Sequence, residues 1–82
     1  MVQSRAIQYP EGDIKGIEHS LRVNQLVDLN GLPLALPIET IHTIVYRVWK
    51  LTTRMERHTE DVLYHLELVK RPELDGLLLR GR

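Results

Sequence analysis

Apolar and polar residues alternate along residues 17–36, IEHSLRVNQLVDLNGLPLAL. One parity is mostly apolar and the other mostly polar, which is typical of a half-buried strand. The apolar parity carries Ile17, Leu21, Val23, Val27 and Leu29, and the polar parity carries Glu18, Ser20, Arg22, Asn24 and Asp28. Asn30-Gly31 then favours a tight turn, because both central residues of a type I′ turn need positive φ. We therefore predict a β-hairpin over 17–36, in preference to an amphipathic helix over 14–28, which Gly16 disfavours.

After Pro37 the apolar residues recur every three or four positions, as they do along a helix. Proline suits the first turn of a helix. Neither glycine nor proline recurs until Pro72, and the two residues before Pro72 are basic, as is appropriate to a helix C-terminus. These signals predict one helix over 37–71, which would be ~50 Å long at ~1.5 Å per residue.

This predicted helix is too long for a chain of 82 residues to cover by itself. A globule of that size has a radius of gyration of ~12 Å, so a hairpin and two short ends cannot hide the whole apolar stripe. Either the helix breaks near Thr52-Thr53, or other chains cover the stripe. Because threonine is a poor helix former but not a breaker, we predict an unbroken helix that packs against further copies of the chain.

Heptad counting from Ile41 gives a mostly apolar seam, which is typical of a coiled coil. Two seam positions hold His58 and His65 instead of apolar residues. A phase shift after Met55 would move both histidines to the flank and bring Leu66 inside, where its burial gains ~1.5–3 kcal/mol. We favour this phase shift over strict heptads. The predicted oligomer interface comprises Ile41, Ile44, Val48, Leu51, Met55, Val62, Leu66 and Val69.

The two ends of the chain show no clear period. Residues 1–16 contain the turn cluster PEGD, and we predict an extended arm, either flexible or laid across a neighbouring chain. Residues 72–82 form a C-terminal tail in which Leu77–Leu79 favour docking on a helix or a partner. The predicted fold class is α+β: an N-terminal arm, a β-hairpin and one long amphipathic helix, assembled as a coiled-coil-like bundle in a homo-oligomer.

Composition limits the chemistry of the chain. It has no cysteine, which excludes disulfides and thiolate metal sites. Its 11 basic and 11 acidic residues balance, whereas dedicated duplex-binding proteins are usually basic. No apolar run has the length of a membrane span, and the N-terminus lacks the apolar core of a secretory signal. We therefore predict no membrane span, no cofactor, and a cytoplasmic or virion location.

Four basic residues fall on one stripe of the predicted helix. They are Arg47, Lys50, Arg54 and Arg57. One interpretation is that they contact phosphate. The other is a solvated face that pairs with the acidic second half of a neighbouring helix. On the same helix His58 and His65 would lie ~10.5 Å apart, which is too far for one metal ion, so no metal site is predicted.

The motifs of common enzymes are missing from the sequence. It has neither a glycine-rich phosphate loop nor the GxSxG elbow of a serine nucleophile. The predicted function is a non-enzymatic structural or assembly protein that homo-oligomerises through its helix, such as a small virion component or scaffold. The N-terminal arm or the Leu77–Leu79 tail would bind a larger assembly. The alternative is a small oligomeric nucleic-acid-binding regulator that uses the basic stripe.

Overall fold

The computed structural model describes residues 2–34 and 43–77. Five strands, β1 (Val2–Gln8), β2 (Ile14–Ile17), β3 (Leu26–Val27), β4 (Tyr46–Glu56) and β5 (Thr59–Leu68), precede a short helix, α1 (Arg71–Leu77). The strands form one curled mixed sheet in the order β2-β1-β5-β4-β3. β1 runs parallel to β5, and the other neighbouring strands are antiparallel.

The predicted helix over 37–71, and with it the coiled-coil bundle, is wrong. β4 and β5 occupy most of that range and pair as a long hairpin. The stretch is rich in β-branched and aromatic residues, which favour a pleated, half-buried surface. The chain reverses at Arg57-His58, where Arg57 has a φ of 49° and Thr59 Oγ1 donates a hydrogen bond to Glu56 O at 2.9 Å. No glycine or proline marks this turn, so the sequence resembled one continuous helix.

A β-bulge explains why the apolar spacing looked helical. The pairing register shifts between Val48 and Lys50, so that Val48 lies opposite Leu66 and Lys50 opposite His65. The extra residue changes the parity of every later position in β4. Val48 and Leu51 are three apart in sequence yet lie on the same sheet face. Apolar residues that alternate along a strand, with one bulge residue inserted, therefore recur at spacings of three and four, as they would along a helix.

The N-terminal half also differs from the prediction. The predicted arm holds β1, an interior strand that lies between β2 and β5 and is hydrogen-bonded to both. The predicted hairpin over 17–36 is reduced to β3 and a bridge between Val27 and Pro33. The chain does turn at Asn30-Gly31, where Asp28 N donates to Leu32 O at 2.9 Å. The predicted type I′ turn is wrong, because Gly31 has a positive φ of 81° but Asn30 does not.

The core lies on one face of the sheet, here called the core face. Its members are Ile7, Leu21, Val27, Tyr46, Val48, Val62, Tyr64 and Leu66, all buried. Residues 18–34 contribute Leu21 and Val27 to this cluster, and Gly31 lies against Ile7, so this segment covers the part of the core face around Ile7. Tyr9 holds this segment on the sheet, because its hydroxyl donates a hydrogen bond to Leu29 O at 2.6 Å. Burial raises the pKa of the Tyr9 hydroxyl.

A second, smaller cluster seats the C-terminal helix. Leu74 of α1 packs with Val45 and Val69, and all three are buried. Pro72, which was expected to stop a helix, instead lies in the first turn of α1, where its missing N–H costs nothing. The side chains of Leu77–Leu79 lie outside what the structure describes, so their predicted docking stays a prediction.

The molecule is elongated. Its extents are 55 × 21 × 16 Å and its radius of gyration is 14.4 Å, against ~12 Å for a compact globule of this length. The long hairpin of β4 and β5 is built from the two longest strands. In the described part of the chain, no helix has both the length and the apolar character needed to cross a membrane.

Candidate interaction surface

The β4–β5 hairpin has two halves with different surroundings. Next to the core, Tyr46 and Val48 of β4 lie opposite Leu68 and Leu66 of β5, and of these only Leu68 is exposed. Further out the strands continue to the pair Glu56–Thr59. We call the outer part, residues 50–61, the distal half of the hairpin. It keeps its strand pairing but loses its cover.

Apolar residues continue along the core face of this distal half. Directly opposed residues in antiparallel strands share a face, so Leu51 lies beside Tyr64, Thr53 beside Val62 and Met55 beside Glu60. Leu51 and Met55 are nevertheless 40% and 59% exposed. Isolated exposed apolar residues are ordinary, but two in a row on a face that is buried further along mark a surface that another molecule can cover.

The outer edge of β4 is also available for pairing. β3 pairs only with Tyr46 and Arg47. The backbone of Val48 is then used by the segment before β3, since Asn24 N donates to Val48 O at 2.6 Å and Val48 N donates to Gln25 O at 2.9 Å. Beyond Val48, none of the described strands pairs with this edge. Residues 50–56 therefore form a free edge, the feature through which strands recruit further strands.

The opposite, outer face of the hairpin carries most of the predicted basic stripe. Arg47, Lys50 and Arg54 lie opposite Glu67, His65 and Asp61 in β5. Arg54 pairs with Glu56, and Ser4 donates to Asp61 Oδ1 at 2.6 Å. The fourth basic residue, Arg57, lies in the turn. Because acidic residues alternate with basic ones, this face is a mixed-charge surface rather than a phosphate-binding stripe.

Arg47 holds helix α1 to the sheet. It donates from Nε to Glu67 Oε2 at 2.8 Å and from Nη2 to Glu73 Oε1 at 2.8 Å, and its Nη1 also reaches Glu73. These hydrogen bonds, those to Glu73 first, raise the pKa of Arg47. The hydrogen bonds between Arg47 and Glu73 also lower the pKa of Glu73. The positive charge of Arg47 is therefore balanced by two carboxylates, so its guanidinium is not free to bind phosphate.

The bulge turns Trp49 outward. The indole is 51% exposed, and it lies 6.0 Å from the His65 ring and 5.9 Å from Lys50 Nζ, measured to the Trp49 ring centroid. A hydrogen bond of 3.0 Å joins Thr52 Oγ1 and His65 Nε2. An open cleft beside Trp49 is lined by Gln8, Tyr9, Pro10, Gly12, Trp49, His65, Leu66, Glu67, Leu68 and Lys70.

The predicted histidine pair is separated in the structure. His65 is partly buried on the outer face of β5, whereas His58 is exposed in the β4–β5 turn. Neither the strict heptad nor the phase shift applies, since this part of the chain is a β-hairpin and not a helix. Among residues 2–34 and 43–77, no three histidine, aspartate or glutamate side chains are grouped closely enough to hold a metal ion.

The eight predicted interface residues divide into three groups. Val48, Val62, Leu66 and Val69 are buried within the single chain. Ile44, Leu51 and Met55 are exposed. Ile41 lies outside the described residues. The buried group builds the chain's own core, so only the exposed group is available to another molecule. Sequence reasoning missed the free edge and Thr53, whose position at the middle of that edge has no sequence signal without the strand assignment.

A family model described as "Uncharacterised Treponema protein" matches residues 1–77. The chain belongs to this family. The match covers every described strand and helix α1. No curated protein and no solved structure matches the chain. The family description gives no activity, so function is argued from the hairpin itself.

Proposed function

We propose that the protein is a non-enzymatic assembly module that binds further copies of itself through the distal half of the β4–β5 hairpin. The observation that carries this proposal is the partly exposed apolar continuation of the core face, Leu51 and Met55, beside a free strand edge. Edge strands without cover recruit other chains unless they are protected. Here the edge is seven residues long, and the surface next to it is apolar.

The charges of the described residues support a binding role over catalysis. No polar or charged side chain among them is buried. The resolved ion pairs, Arg47 with Glu67 and Glu73 and Arg54 with Glu56, are structural and lie at the surface. A catalytic acid or base is usually set apart by burial or by a charged neighbour inside a cleft. In the open cleft beside Trp49, the lining residues with such surroundings already have structural partners: the Tyr9 hydroxyl donates to Leu29 O and Glu67 accepts from Arg47.

Self-association can be tested by measuring mass in solution. Light scattering and native mass spectrometry from about 1 to about 100 µM should show an oligomer whose population rises with concentration. The double variant Leu51→Ser/Met55→Ser should shift the protein to monomer. Leu29→Ser/Leu32→Ser is the matched control, since it removes two exposed apolar side chains from the turn before Pro33. A monomer over the whole range would refute the proposal.

A further inference from the structure

We propose that a second copy of the chain extends the sheet by laying its β4 antiparallel along the free edge of β4, with Thr53 opposite Thr53 of the partner. This inference rests on the proposed self-association and specifies the surface and the register. The free edge, residues 50–56, has Thr53 at its middle, so this register pairs the whole edge with itself. The result is a two-fold interface in which the same surface is used by both chains.

Two-fold symmetry restricts the registers that need comparison. When two sheets join edge to edge about an axis perpendicular to them, the core faces lie on one side and the outer faces on the other. Each residue therefore meets a partner residue from the same face. In the distal half, Leu51, Thr53 and Met55 share the core face. Their neighbours Lys50, Thr52, Arg54 and Glu56 share the outer face.

The register centred on Thr53 matches side chains on both faces. On the outer face, Lys50 lies opposite the partner's Glu56, and symmetry repeats this pair of opposite charges. On the core face, Leu51 lies opposite the partner's Met55, which is also repeated. Opposite charges and apolar pairs directly across an antiparallel ladder are both stabilising. The exposed apolar residues of the hairpin thus cover one another.

The adjacent registers bring like charges together. Centring the pairing on Thr52 places Lys50 opposite the partner's Arg54, twice. Centring it on Arg54 places two arginines directly opposite each other. Like charges in directly opposed positions are destabilising. Centring it on Met55 does match Arg54 with the partner's Glu56, but it pairs only three residues of each strand. The Thr53 register is the one that combines full overlap with matched charge.

The neighbouring backbone agrees with this choice. The hydrogen-bonding groups of Val48 are occupied by the segment before β3. In the Thr53 register the partner's strand ends opposite Lys50, two residues short of Val48, so the two do not compete. Centring on Leu51 would instead place the partner's Arg54 opposite Val48. The length of the free edge therefore fits one copy of the same strand in one position.

The exposed indole at the bulge gains a neighbour in this arrangement. Just beyond the Lys50 pair, the turn that follows the partner's strand brings the partner's Arg57 towards Trp49. The Trp49 ring is half exposed, and a guanidinium beside an indole is favourable. This contact gives the outward turn of Trp49 a role in the assembly rather than in the fold.

Single cysteines test the register directly, because the chain has none of its own. Thr53→Cys should form an intermolecular disulfide under mild oxidation, since directly opposed Cα atoms lie ~4.5–5.5 Å apart. Leu51→Cys and Met55→Cys should each fail to cross-link alone, because each residue would be ~13 Å from its own copy. A mixture of those two variants should give the mixed disulfide dimer. Self-cross-linking of Leu51→Cys would overturn the register.

Charge exchange gives a second, independent readout. Lys50→Glu and Glu56→Lys should each weaken self-association roughly ten-fold, and the double variant should restore it. Lys15→Glu, the same charge change on the opposite edge strand β2, should leave association unchanged. An oligomer of unchanged mass that shows neither the Thr53→Cys cross-link nor this exchange would overturn the β4 pairing while leaving self-association standing. A monomeric wild type would overturn both, and loss of association in Lys15→Glu alone would place the interface at β2.

Discussion

Leu66 and Leu51 lie on the same hairpin and face the same way, but their surroundings differ. Leu66 is opposite Val48 under the cover of residues 18–34 and is 3% exposed. Leu51 lies on the same face further out and is 40% exposed. The strand pairing is continuous between them, so strand formation alone does not distinguish the two positions. What differs is whether the chain itself supplies a second layer.

The comparison separates two parts of one hairpin. Its covered half contributes to the stability of the monomer, because apolar surface leaves water when the chain folds. Its bare half leaves Leu51 and Met55 exposed, and in the self-association proposed above a second copy of the chain would cover them. The bulge between Val48 and Lys50 separates the two halves. We expect substitutions in the covered half to change stability and substitutions in the bare half to change association.

The largest effect is expected from Leu66→Ala. Removing a fully buried leucine side chain costs ~2–5 kcal/mol in the free energy of unfolding. Urea unfolding followed by circular dichroism, at a concentration where the protein is monomeric, measures this cost. A loss below ~1 kcal/mol would mean that the cover does not pack against β5 as described.

The cover itself can be tested at Gly31. A Cβ at this position would lie 2.7 Å from Ile7 Cδ1, and Ile7 is fully buried, so it cannot move aside freely. Gly31 also has a positive φ, which alanine disfavours. Gly12→Ala is the matched control, since Gly12 has a positive φ but nothing within 4 Å of its Cβ position. We expect Gly31→Ala to destabilise by ~1–3 kcal/mol more than Gly12→Ala. Equal effects would argue against the contact with Ile7.

A smaller effect is expected from the ion pair that holds α1. The pKa of Glu73 is lowered in the folded state by its hydrogen bonds to Arg47. Its contribution is therefore present above the ordinary glutamate pKa, 4.5, and is lost as pH falls through the lower folded value. Thermal midpoints measured between about pH 3 and pH 6 should fall less steeply for Glu73→Gln than for wild type. Glu18→Gln, at an exposed glutamate after β2, should follow the wild-type profile.

The sequence predicted individual turns and apolar residues better than it predicted the architecture. A turn does form at Asn30-Gly31, but only Gly31 has a positive φ, so it is not the type I′ turn that was predicted. Val48, Val62, Leu66 and Val69 were predicted as interface residues, and the structure buries them within the single chain. Their spacing resembled that of a helix because the bulge inserts one residue into β4. A bulge is defined by the pairing with a neighbouring strand, so it could not be identified from the sequence of β4 alone.

The interior position of β1 in the sheet could not be predicted from the sequence either, because it also depends on a partner strand. β1 pairs in parallel with β5, from Val2–Thr59 to Gln8–His65, across more than fifty residues of intervening chain. No local pattern in residues 1–16 specifies that partner. The candidate surface depended on the same information: Leu51 and Met55 were chosen as apolar, but the free edge beside them becomes visible only once β4 is known to be a strand.

The smallest effect on folding is expected from Leu51→Ala. At a concentration where the protein is monomeric, its free energy of unfolding should stay within ~0.5 kcal/mol of wild type, in contrast to the same substitution at Leu66. At higher concentration the difference in free energy of unfolding between the variant and wild type should increase, because association stabilises wild type and the variant associates more weakly. Urea unfolding at two concentrations a hundred-fold apart measures both terms. A large loss of free energy of unfolding at both concentrations would show that Leu51 belongs to the monomer's core, and that both halves of the hairpin stabilise the monomer.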